Sequence, residues 1–283
     1  MKLPAPPSLQ VGLATQVLVG FVREETQRTG LQRVVLGLSG GVDSALVIEI
    51  AARALGPKNV LALAMPFRTS SAASLELARI SAEHAGVRLE FADISAAAEA
   101  IFSAAGDLPD TADRATRLRR GNVLARLRMI TLYDRSAREG SLVLGTSNKT
   151  ELLLGYGTQH GDMASALNPI GDLYKCQVFA LSRHLGVPEA IVEREPSADL
   201  WQGQTDEQEL GATYDALDAL LHRMVDRRTS RERLLELGFE AAFIDATAER
   251  VRRSQYKRRP PIIAKLANRT INLDWRYARD WGT

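Results

Sequence analysis

The sequence has a single cysteine, Cys176, among its 283 residues. One cysteine excludes a disulfide bond within the chain and a zinc site built from several thiolates. This composition is typical of a reducing compartment, so we expect a cytoplasmic protein. No base is recognisable as a partner for Cys176, and we therefore expect it to pack on a helix rather than to act as a nucleophile.

The chain also lacks a strong net charge and a long apolar run. Its 36 basic and 34 acidic residues leave a formal net charge of +2, which gives no reason to expect a nucleic acid or a membrane as a partner. No segment approaches the roughly 18 consecutive apolar residues of a membrane-spanning helix. The apolar residues of the segment 9–22 are interrupted by Gln10 and Gln16 and have a helical period, so we interpret the segment as an amphipathic helix and not as a signal peptide.

Apolar segments and helical patterns alternate along the first half of the chain. The pattern predicts strands at residues 34–38, 59–65, 87–91 and 141–145, and helices at 9–29, 72–85, 94–104 and 115–139, with a further helix that ends near 55. Such alternation is typical of a parallel sheet with right-handed crossovers. We therefore predict an α/β fold with a doubly wound parallel, Rossmann-like sheet, in which ligands bind beyond the carboxyl ends of the strands.

The second half of the chain has a different pattern. Helices are predicted at residues 174–185 and 205–221, with two more between 229 and 254, and a basic tail follows at 256–261. Residues 106–113 and the glycine-rich residues 155–172 show no period and are predicted to be loops. No linker or repeat interrupts the chain, so we expect one domain over residues 1–283 with a helical C-terminal part.

A short motif, SGGVDS, directly follows the first predicted strand. Glycines allow the backbone to approach an anion, and the N–H groups and dipole at a helix start favour negative charge. This order of elements predicts a phosphate-binding loop at Gly37, Leu38, Ser39, Gly40, Gly41, Val42, Asp43 and Ser44. A carboxylate beside a phosphate is repelled unless a divalent cation lies between them, so Asp43 indicates a metal site. The alternative is that Ser-Gly-Gly is an ordinary turn and Asp43 a helix cap.

The motif resembles the pyrophosphate loop of the N-type ATP pyrophosphatases, and it is neither a Walker A loop nor a GxGxxG dinucleotide loop. Together with further segments it resembles the NAD synthetase family, in that family's own order. These segments are GLSGGVDS, MPFRTSS, GNVLARLRMITLY, GTSNKTELLLGYGTQHGD, NPIGDLYKCQVFAL, EREPSADLWQGQTDEQELG and YKRRPP. They span most of the chain, roughly residues 10–262, and the resemblance implies an adenine nucleotide α-hydrolase-like fold.

The resemblance implies an enzyme, a ligase that forms a C–N bond. Members of the family amidate deamido-NAD (nicotinate adenine dinucleotide) to NAD with ammonia, through an adenylated nicotinate, and release AMP and pyrophosphate. This is the last step of NAD biosynthesis, with ATP as the co-substrate and Mg²⁺ as the metal cofactor. Such chemistry requires that the reactants are aligned and that charge on the polyphosphate is neutralised, and it requires no side-chain nucleophile. No nucleophile with a partner base is recognisable in the sequence.

The resemblance also implies roles for individual residues. The loop from Gly37 to Ser44 would hold the ATP phosphates, and Asp43 and Glu151 would bind Mg²⁺. The remaining ATP contacts would be Thr146, Lys175 and Ser197. The contacts to deamido-NAD would be Arg126, Gln159, Asp162, Tyr256 and Lys257.

Three of these assignments have alternatives when the residues are considered alone. Glu151 could stabilise a helix dipole instead of binding a metal ion. Lys175 could be a solvated surface residue near a helix start. Arg126 and Arg128 could form ion pairs on a helix face, which would contribute little to stability.

Four positions depart from the family pattern. Many ammonia-dependent members have Lys, Asp and His where this chain has Gln159, Ala166 and Tyr256. Those three positions contact deamido-NAD in such members, so the acceptor pocket is where the resemblance is least complete. Some members also have Arg at the position of Ala64.

Two further expectations concern the nitrogen donor and the assembly. The pyrophosphatase motifs begin by residue 37, so we expect no glutaminase domain and free ammonia as the donor, with a separate glutaminase chain as the alternative. Family members are homodimers, and we expect the same here. Two rival functions stay open: another N-type ATP pyrophosphatase that adenylates a different acceptor, and a non-catalytic adenine-nucleotide sensor on the same fold.

Overall fold

The computed structural model describes residues 3–106, 113–196 and 206–271 of the chain. Its strands are β1 (Arg33–Gly37), β2 (Val60–Ala64), β3 (Arg88–Phe91) and β4 (Ser141–Leu144). Its α-helices are α1 (Val11–Arg28), α2 (Val42–Leu55), α3 (Ala72–Ala85), α4 (Ser95–Ala104), α5 (Arg114–Glu139), α6 (Lys149–Leu154), α7 (Lys175–Leu185), α8 (Glu189–Val192), α9 (Asp206–Leu210), α10 (Tyr214–Leu221), α11 (Arg231–Glu236) and α12 (Ala241–Ser254). None of the described helices is long and apolar enough to cross a membrane.

The four strands form a parallel sheet in the order β3-β2-β1-β4. Strand β1 lies between β2 and β4, with Val35 paired to Leu61 on one side and to Val143 on the other. The chain winds outward from β1 to β3 and then crosses over to β4. This reversal of direction creates a crevice at the carboxyl ends of β1 and β4, where ligands bind in such sheets.

Helices cover both faces of the sheet, which explains why its central strands are apolar on both sides. Val34 and Leu36 of β1 belong to a core shared with α1, α2 and α7. Val35 belongs to a second core shared with α4 and α5. The predicted α/β fold with a doubly wound parallel sheet is therefore confirmed. Ala64, one of the positions that depart from the family pattern, is buried at the end of β2.

Local sequence signals set the ends of the longer helices. Ser71 caps α3 by accepting a hydrogen bond from the Ser74 N–H, and α3 ends at Gly86 in the left-handed conformation. Asp113 caps α5 in the same manner, and Gly140 ends it. Because these caps are local, the predicted helices at 72–85 and 115–139 agree with the observed ones to within one residue.

The predicted continuous helix at 205–221 is wrong. Gly211 has a positive φ of 77°, and Thr213 caps a new helix, so the chain forms α9 and α10 instead. The two helices predicted between 229 and 254 are confirmed as α11 and α12. Residues 155–172 contain no helix or strand, as predicted. The predicted loop at 106–113 falls mostly outside the described residues.

We predict that Gly40→Ala destabilises the protein more than Gly186→Ala. Both glycines have a φ of 79°, so both substitutions carry backbone strain of roughly 1–2 kcal/mol. A Cβ on Gly40 would also lie 2.3 Å from the Ser74 carbonyl oxygen, whereas one on Gly186 would meet nothing within 4 Å. Denaturant titration should show a loss of unfolding free energy about 1 kcal/mol or more larger for Gly40→Ala. Equal losses would contradict the close packing of this loop on α3.

Candidate active site

The loop between β1 and α2 is held together by its own two serines. The Ser39 N–H donates to the Ser44 hydroxyl at 3.3 Å, and the Ser44 hydroxyl donates to the Gly41 carbonyl at 3.0 Å. The Gly41 N–H donates to the Ser39 hydroxyl at 3.2 Å. Gly41 is the N-cap of α2 and makes no side-chain capping bond. The N–H groups of the first turn of α2 are therefore not engaged by a cap and suit an anion.

A cavity of about 1040 Å³ opens beside this loop. Most of the predicted site residues line it: Gly37, Leu38, Ser39, Gly41, Val42, Asp43, Ser44, Thr146, Glu151, Asp162, Lys175, Tyr256 and Lys257. Gly40, Arg126 and Gln159 are not part of its wall. Ser197 lies outside the described residues. The structure thus brings both predicted metal ligands, most of the predicted ATP-binding residues and three of the five predicted acceptor residues together around one space.

Lys175 is the first residue of α7 and is only 2% exposed. Its ammonium contacts the Asp43 carboxylate of α2 and lies 3.6 Å from Oε1 of Glu151 in α6. The interpretation of Lys175 as a solvated surface residue is therefore wrong. Residues from three helices meet here because α2 and α6 start at the ends of the neighbouring strands β1 and β4, and α7 starts beside them.

Asn148, which sequence analysis did not single out, holds both carboxylates in place. Its side-chain amide nitrogen donates to Oδ1 of Asp43 at 2.8 Å, and its side-chain oxygen accepts from the Glu151 N–H at 3.0 Å. The Asn148 N–H donates to Oε2 of Glu151 at 3.2 Å, which completes a capping box at the start of α6. Glu151 therefore belongs to a helix cap and also lines the cavity. The Asn-x-x-Glu spacing is a sequence signal that could have identified Asn148.

Asp218 of α10 joins the starts of α6 and α7. Its fully buried carboxylate accepts hydrogen bonds from the Thr150 hydroxyl at 2.6 Å and from the Cys176 N–H at 2.7 Å. The Thr150 hydroxyl also accepts a bond from the Lys175 N–H at 3.0 Å. Burial, reinforced by Asp218, raises the pKa of the Cys176 thiol. Cys176 is therefore a poor nucleophile, in agreement with the sequence-based expectation.

The electrostatics of the cluster favour an added cation. Burial raises the pKa of the Glu151 carboxyl, and the charge of Asp43 raises it further. Burial also acts to lower the pKa of the Lys175 ammonium, but Asp43 and Glu151 outweigh this effect and raise it overall. Lys175 is therefore charged at neutral pH, and a second cation would lower the pKa of Glu151 and complete its ionisation.

Sequence analysis also missed the buried carboxylate of Asp206 at the start of α9. The carboxylate accepts hydrogen bonds from the Tyr156 and Tyr214 hydroxyls, both at 2.9 Å. The Tyr156 hydroxyl also lies 2.7 Å from Oε2 of Glu209. Burial raises the pKa of Asp206, whereas the charge of Lys175 lowers it. The acidic run that begins at Asp206 is equally typical of an exposed helix start, so the sequence carried no signal of its burial.

The residues predicted to contact the acceptor are held mainly by backbone groups. The Lys257 ammonium donates to the carbonyl oxygens of Gly155 and Gly157, both at 2.8 Å. The Asp162 carboxylate accepts a hydrogen bond from the Thr158 N–H at 2.8 Å. Tyr256 lies at the cavity wall and is 57% exposed. These contacts fix the loop around residues 155–162 against the turn that follows α12.

Arg126 and Gln159 contact each other outside the cavity wall. The exposed Arg126 guanidinium of α5 donates to the Gln159 carbonyl oxygen at 3.3 Å. Arg128, two residues further along α5, donates to the Met65 carbonyl at 3.1 Å and lines the cavity. The two arginines of α5 therefore have different surroundings, and only Arg128 borders the cavity of its own chain.

The donor atoms of the cluster fit a magnesium ion. Asp43 and Glu151 both approach the Lys175 ammonium, so the two carboxylates converge beside the phosphate loop. Magnesium is usually held by one or two protein carboxylates, and substrate phosphates and water complete its coordination. Throughout residues 3–106, 113–196 and 206–271, no group of three His, Cys, Asp or Glu side chains is arranged to hold a metal ion. The site therefore suits an ion that arrives with a polyphosphate.

The amino-acid sequence matches a known family and a named relative. The family model described as NAD synthase matches residues 14–261. The NH(3)-dependent NAD(+) synthetase of Chlorobaculum parvum is 53% identical over 278 residues, which cover 98% of this chain and 98% of that protein. The similarity therefore extends over nearly the whole of both chains.

Two solved structures share the fold. The NH3-dependent NAD synthetase of Campylobacter jejuni has a TM-score of 0.75 and 34% identity, with 91% of this chain and 100% of that chain covered. The NMN synthetase of Francisella tularensis has a TM-score of 0.77 and 30% identity, with 91% and 99% covered. On these matches and on its phosphate loop, the chain belongs to the NAD synthase family and has that family's adenine nucleotide α-hydrolase-like fold.

Proposed function

We propose that this chain is an ammonia-dependent NAD synthetase, a ligase that amidates deamido-NAD to NAD with ATP as co-substrate. The observation that carries the proposal is the convergence of Asp43, Glu151 and Lys175 beside a phosphate loop. The cavity they line, about 1040 Å³, is at the upper end of the usual range for ligand pockets, as two bound nucleotides require. The extent of the match to the Chlorobaculum parvum enzyme supports the same reaction.

In the first step an oxygen of the nicotinate carboxylate attacks the α-phosphorus of ATP, and the bond to the bridging β-phosphate oxygen breaks. The carboxylate is already a nucleophile, so the protein has to align the reactants and stabilise charge. We assign the phosphates to the loop from Gly37 to Ser44, through its N–H groups and serine hydroxyls. Thr146, Lys175 and Ser197 are the further contacts to ATP, with the Lys175 ammonium directed to phosphate oxygens.

We assign Mg²⁺ to Asp43 and Glu151, whose carboxylates converge beside the phosphate loop. The ion would neutralise charge on the polyphosphate and orient it for displacement. Asn148 supports this assignment, since its side-chain amide donates to the Asp43 carboxylate and its backbone N–H donates to the Glu151 carboxylate. Residues that fix metal ligands in this way strengthen metal binding, because the ligands need little rearrangement.

In the second step ammonia attacks the carbonyl carbon of the adenylated nicotinate, AMP leaves, and the nitrogen loses a proton. We assign deamido-NAD to Arg126, Gln159, Asp162, Tyr256 and Lys257. Gln159 and Tyr256 are uncharged where many family members carry Lys and His. Hydrogen bonds from an amide and a phenol would therefore replace ionic contacts in this chain.

We propose that residues 1–283 form one catalytic domain that acts in the cytoplasm. The family model covers residues 14–261 without interruption, which supports a single functional unit. The single cysteine of the sequence, Cys176, is compatible with a reducing compartment.

We also propose that the protein is a homodimer. Helix α5 exposes two large apolar side chains less than one turn apart, Ile130 and Tyr133, neither of which lines the cavity. Apolar residues grouped on an exposed helix are typical of protein–protein contacts. Arg126 lies on the same helix and outside the cavity of its own chain, so a contact along α5 would place it near a second copy.

We predict that the purified protein forms NAD from deamido-NAD, ATP, Mg²⁺ and ammonium, with equimolar AMP and pyrophosphate. Glutamine should not replace ammonium, because the Chlorobaculum parvum relative, matched over 98% of its length, is named as NH(3)-dependent. Nicotinate mononucleotide is the matched control acceptor, since one solved neighbour is named NMN synthetase. Equal activity with glutamine would contradict the ammonia donor, and a preference for the mononucleotide would contradict the dinucleotide acceptor.

We predict that Asp43→Asn lowers kcat/KM for ATP by about 100-fold or more, because it removes a charged metal ligand. Asp245→Asn is the control, since Asp245 forms an exposed ion pair with Arg231 at 2.7 Å and neither residue lines the cavity. Initial rates over a series of Mg²⁺ concentrations are the measurement. An Asp43→Asn enzyme with the wild-type rate and Mg²⁺ dependence would rule out the metal assignment.

We predict that light scattering shows a dimer for the wild type and a monomer for Ile130→Glu. A buried glutamate without a partner is unfavourable at an apolar contact. Leu13→Glu on α1 is the control, because Leu13 is 60% exposed and Ile130 is 58% exposed. A wild-type protein of protomer mass would contradict the homodimer, and equal effects of the two variants would contradict the use of α5.

A further inference from the structure

Arg194 borders the phosphate loop, although sequence analysis gave it no role. It lies two residues beyond the end of α8, and its side chain lines the same cavity as Ser39, Gly41 and Ser44. Its guanidinium donates a hydrogen bond to the Ser74 hydroxyl at 2.7 Å. An arginine at this place can reach a ligand that the loop binds.

The position of Arg194 is fixed by packing on both sides. Ile191 and Val192 of α8 are buried in the core that contains α2 and α3. Ser74 lies in the first turn of α3 and is itself buried. The Ser74 carbonyl oxygen packs so closely on Gly40 that a Cβ there would lie 2.3 Å away. Arg194 is therefore joined to the phosphate loop through a single buried residue.

Within the described part of the chain, the charge of Arg194 has no carboxylate partner. No carboxylate of the described residues lies within ion-pair distance of its guanidinium, and its hydrogen bond is to a neutral hydroxyl. Two other cations that line the cavity are paired with carboxylates, Lys175 with Asp43 and Arg253 with Glu249. An arginine without a carboxylate partner beside an anion site has the charge and the planar donor fork that phosphate oxygens require.

We propose that Arg194 binds the β- and γ-phosphates of ATP and stabilises the pyrophosphate as it leaves. The proposal rests on the adenylation step of the proposed function. In that step the carboxylate oxygen forms a bond to the α-phosphorus, and the bond between that phosphorus and the β-bridging oxygen breaks. The leaving pyrophosphate takes the bonding electron pair, so negative charge increases on the part of the substrate next to Arg194.

The Ser74 hydroxyl is a positioning group in this arrangement. It holds one arm of the guanidinium, which leaves the remaining N–H donors for the ligand. Loss of that hydroxyl should weaken pyrophosphate binding less than loss of the guanidinium, because the positive charge remains.

The test is calorimetric titration of the full chain with inorganic pyrophosphate and, separately, with AMP, both in the presence of Mg²⁺. We expect Arg194→Gln to weaken pyrophosphate binding about tenfold or more, and Ser74→Ala to weaken it less, since a charge-assisted bond is lost only in the first variant. AMP binding should stay within about twofold of the wild type in both variants, which also shows that they are folded. Arg233→Gln is the control, because Arg233 forms an exposed ion pair with Glu236.

An equal loss of AMP and pyrophosphate affinity in Arg194→Gln would show that Arg194 only supports the loop. An unchanged pyrophosphate affinity would show that Arg194 does not contact pyrophosphate. Either result overturns the proposal. Product inhibition by pyrophosphate should weaken in Arg194→Gln in parallel with the titration, and an unchanged inhibition constant would also overturn it. The titration does not depend on NAD formation. If the wild type forms no NAD but Arg194→Gln still loses pyrophosphate affinity selectively, the acceptor assignment fails and the role of Arg194 stands.

Discussion

A buried positive charge on Lys175 is the feature on which the rest of this site depends. An ammonium in a protein interior is stable only if carboxylates and hydrogen bonds replace its lost hydration. Asp43 and Glu151 provide that replacement, and they belong to helices that start at the ends of β1 and β4. The charge cluster can form only where the parallel sheet brings these strand ends together with the start of α7. The charge cluster therefore depends on the topology of the sheet.

The polar groups around the cluster extend this dependence to the C-terminal helices. Asn148 bonds the Asp43 carboxylate through its side chain and the Glu151 carboxylate through its backbone N–H. Asp218 of α10 joins the starts of α6 and α7. Buried networks of this kind are stable when every member has its partner and are costly when one partner is lost. The helical C-terminal part consequently helps to hold the helix starts that carry Glu151 and Lys175. These contacts give a physical reason why the family match includes α10 as well as the sheet.

Local signals explain what could be predicted from the sequence, and distant contacts explain what could not. The order of β1, the glycine loop and α2 was predictable because an apolar strand, a glycine turn and a helix start follow one another without interruption. The bond between Asn148 and Asp43 joins residues 105 positions apart, and the pair of Lys175 with Asp43 spans 132 positions. The periodicity of a sequence carries no information about contacts between residues so far apart in the chain, so the burial of Lys175 was not predictable. The break at Gly211 was missed because polar and apolar residues keep a helical period through it.

The phosphate side and the acceptor side of the cavity are stabilised in different ways. The phosphate loop packs on α3 at Gly40, and Lys175 is buried among carboxylates, so substitutions there disturb the core or leave a charge unpaired. On the acceptor side, Lys257 is held by backbone carbonyls and Tyr256 is largely exposed. Backbone partners do not change when neighbouring side chains change. Under the assignments proposed above, the departures at Gln159 and Tyr256 change the groups offered to the acceptor at little cost to stability.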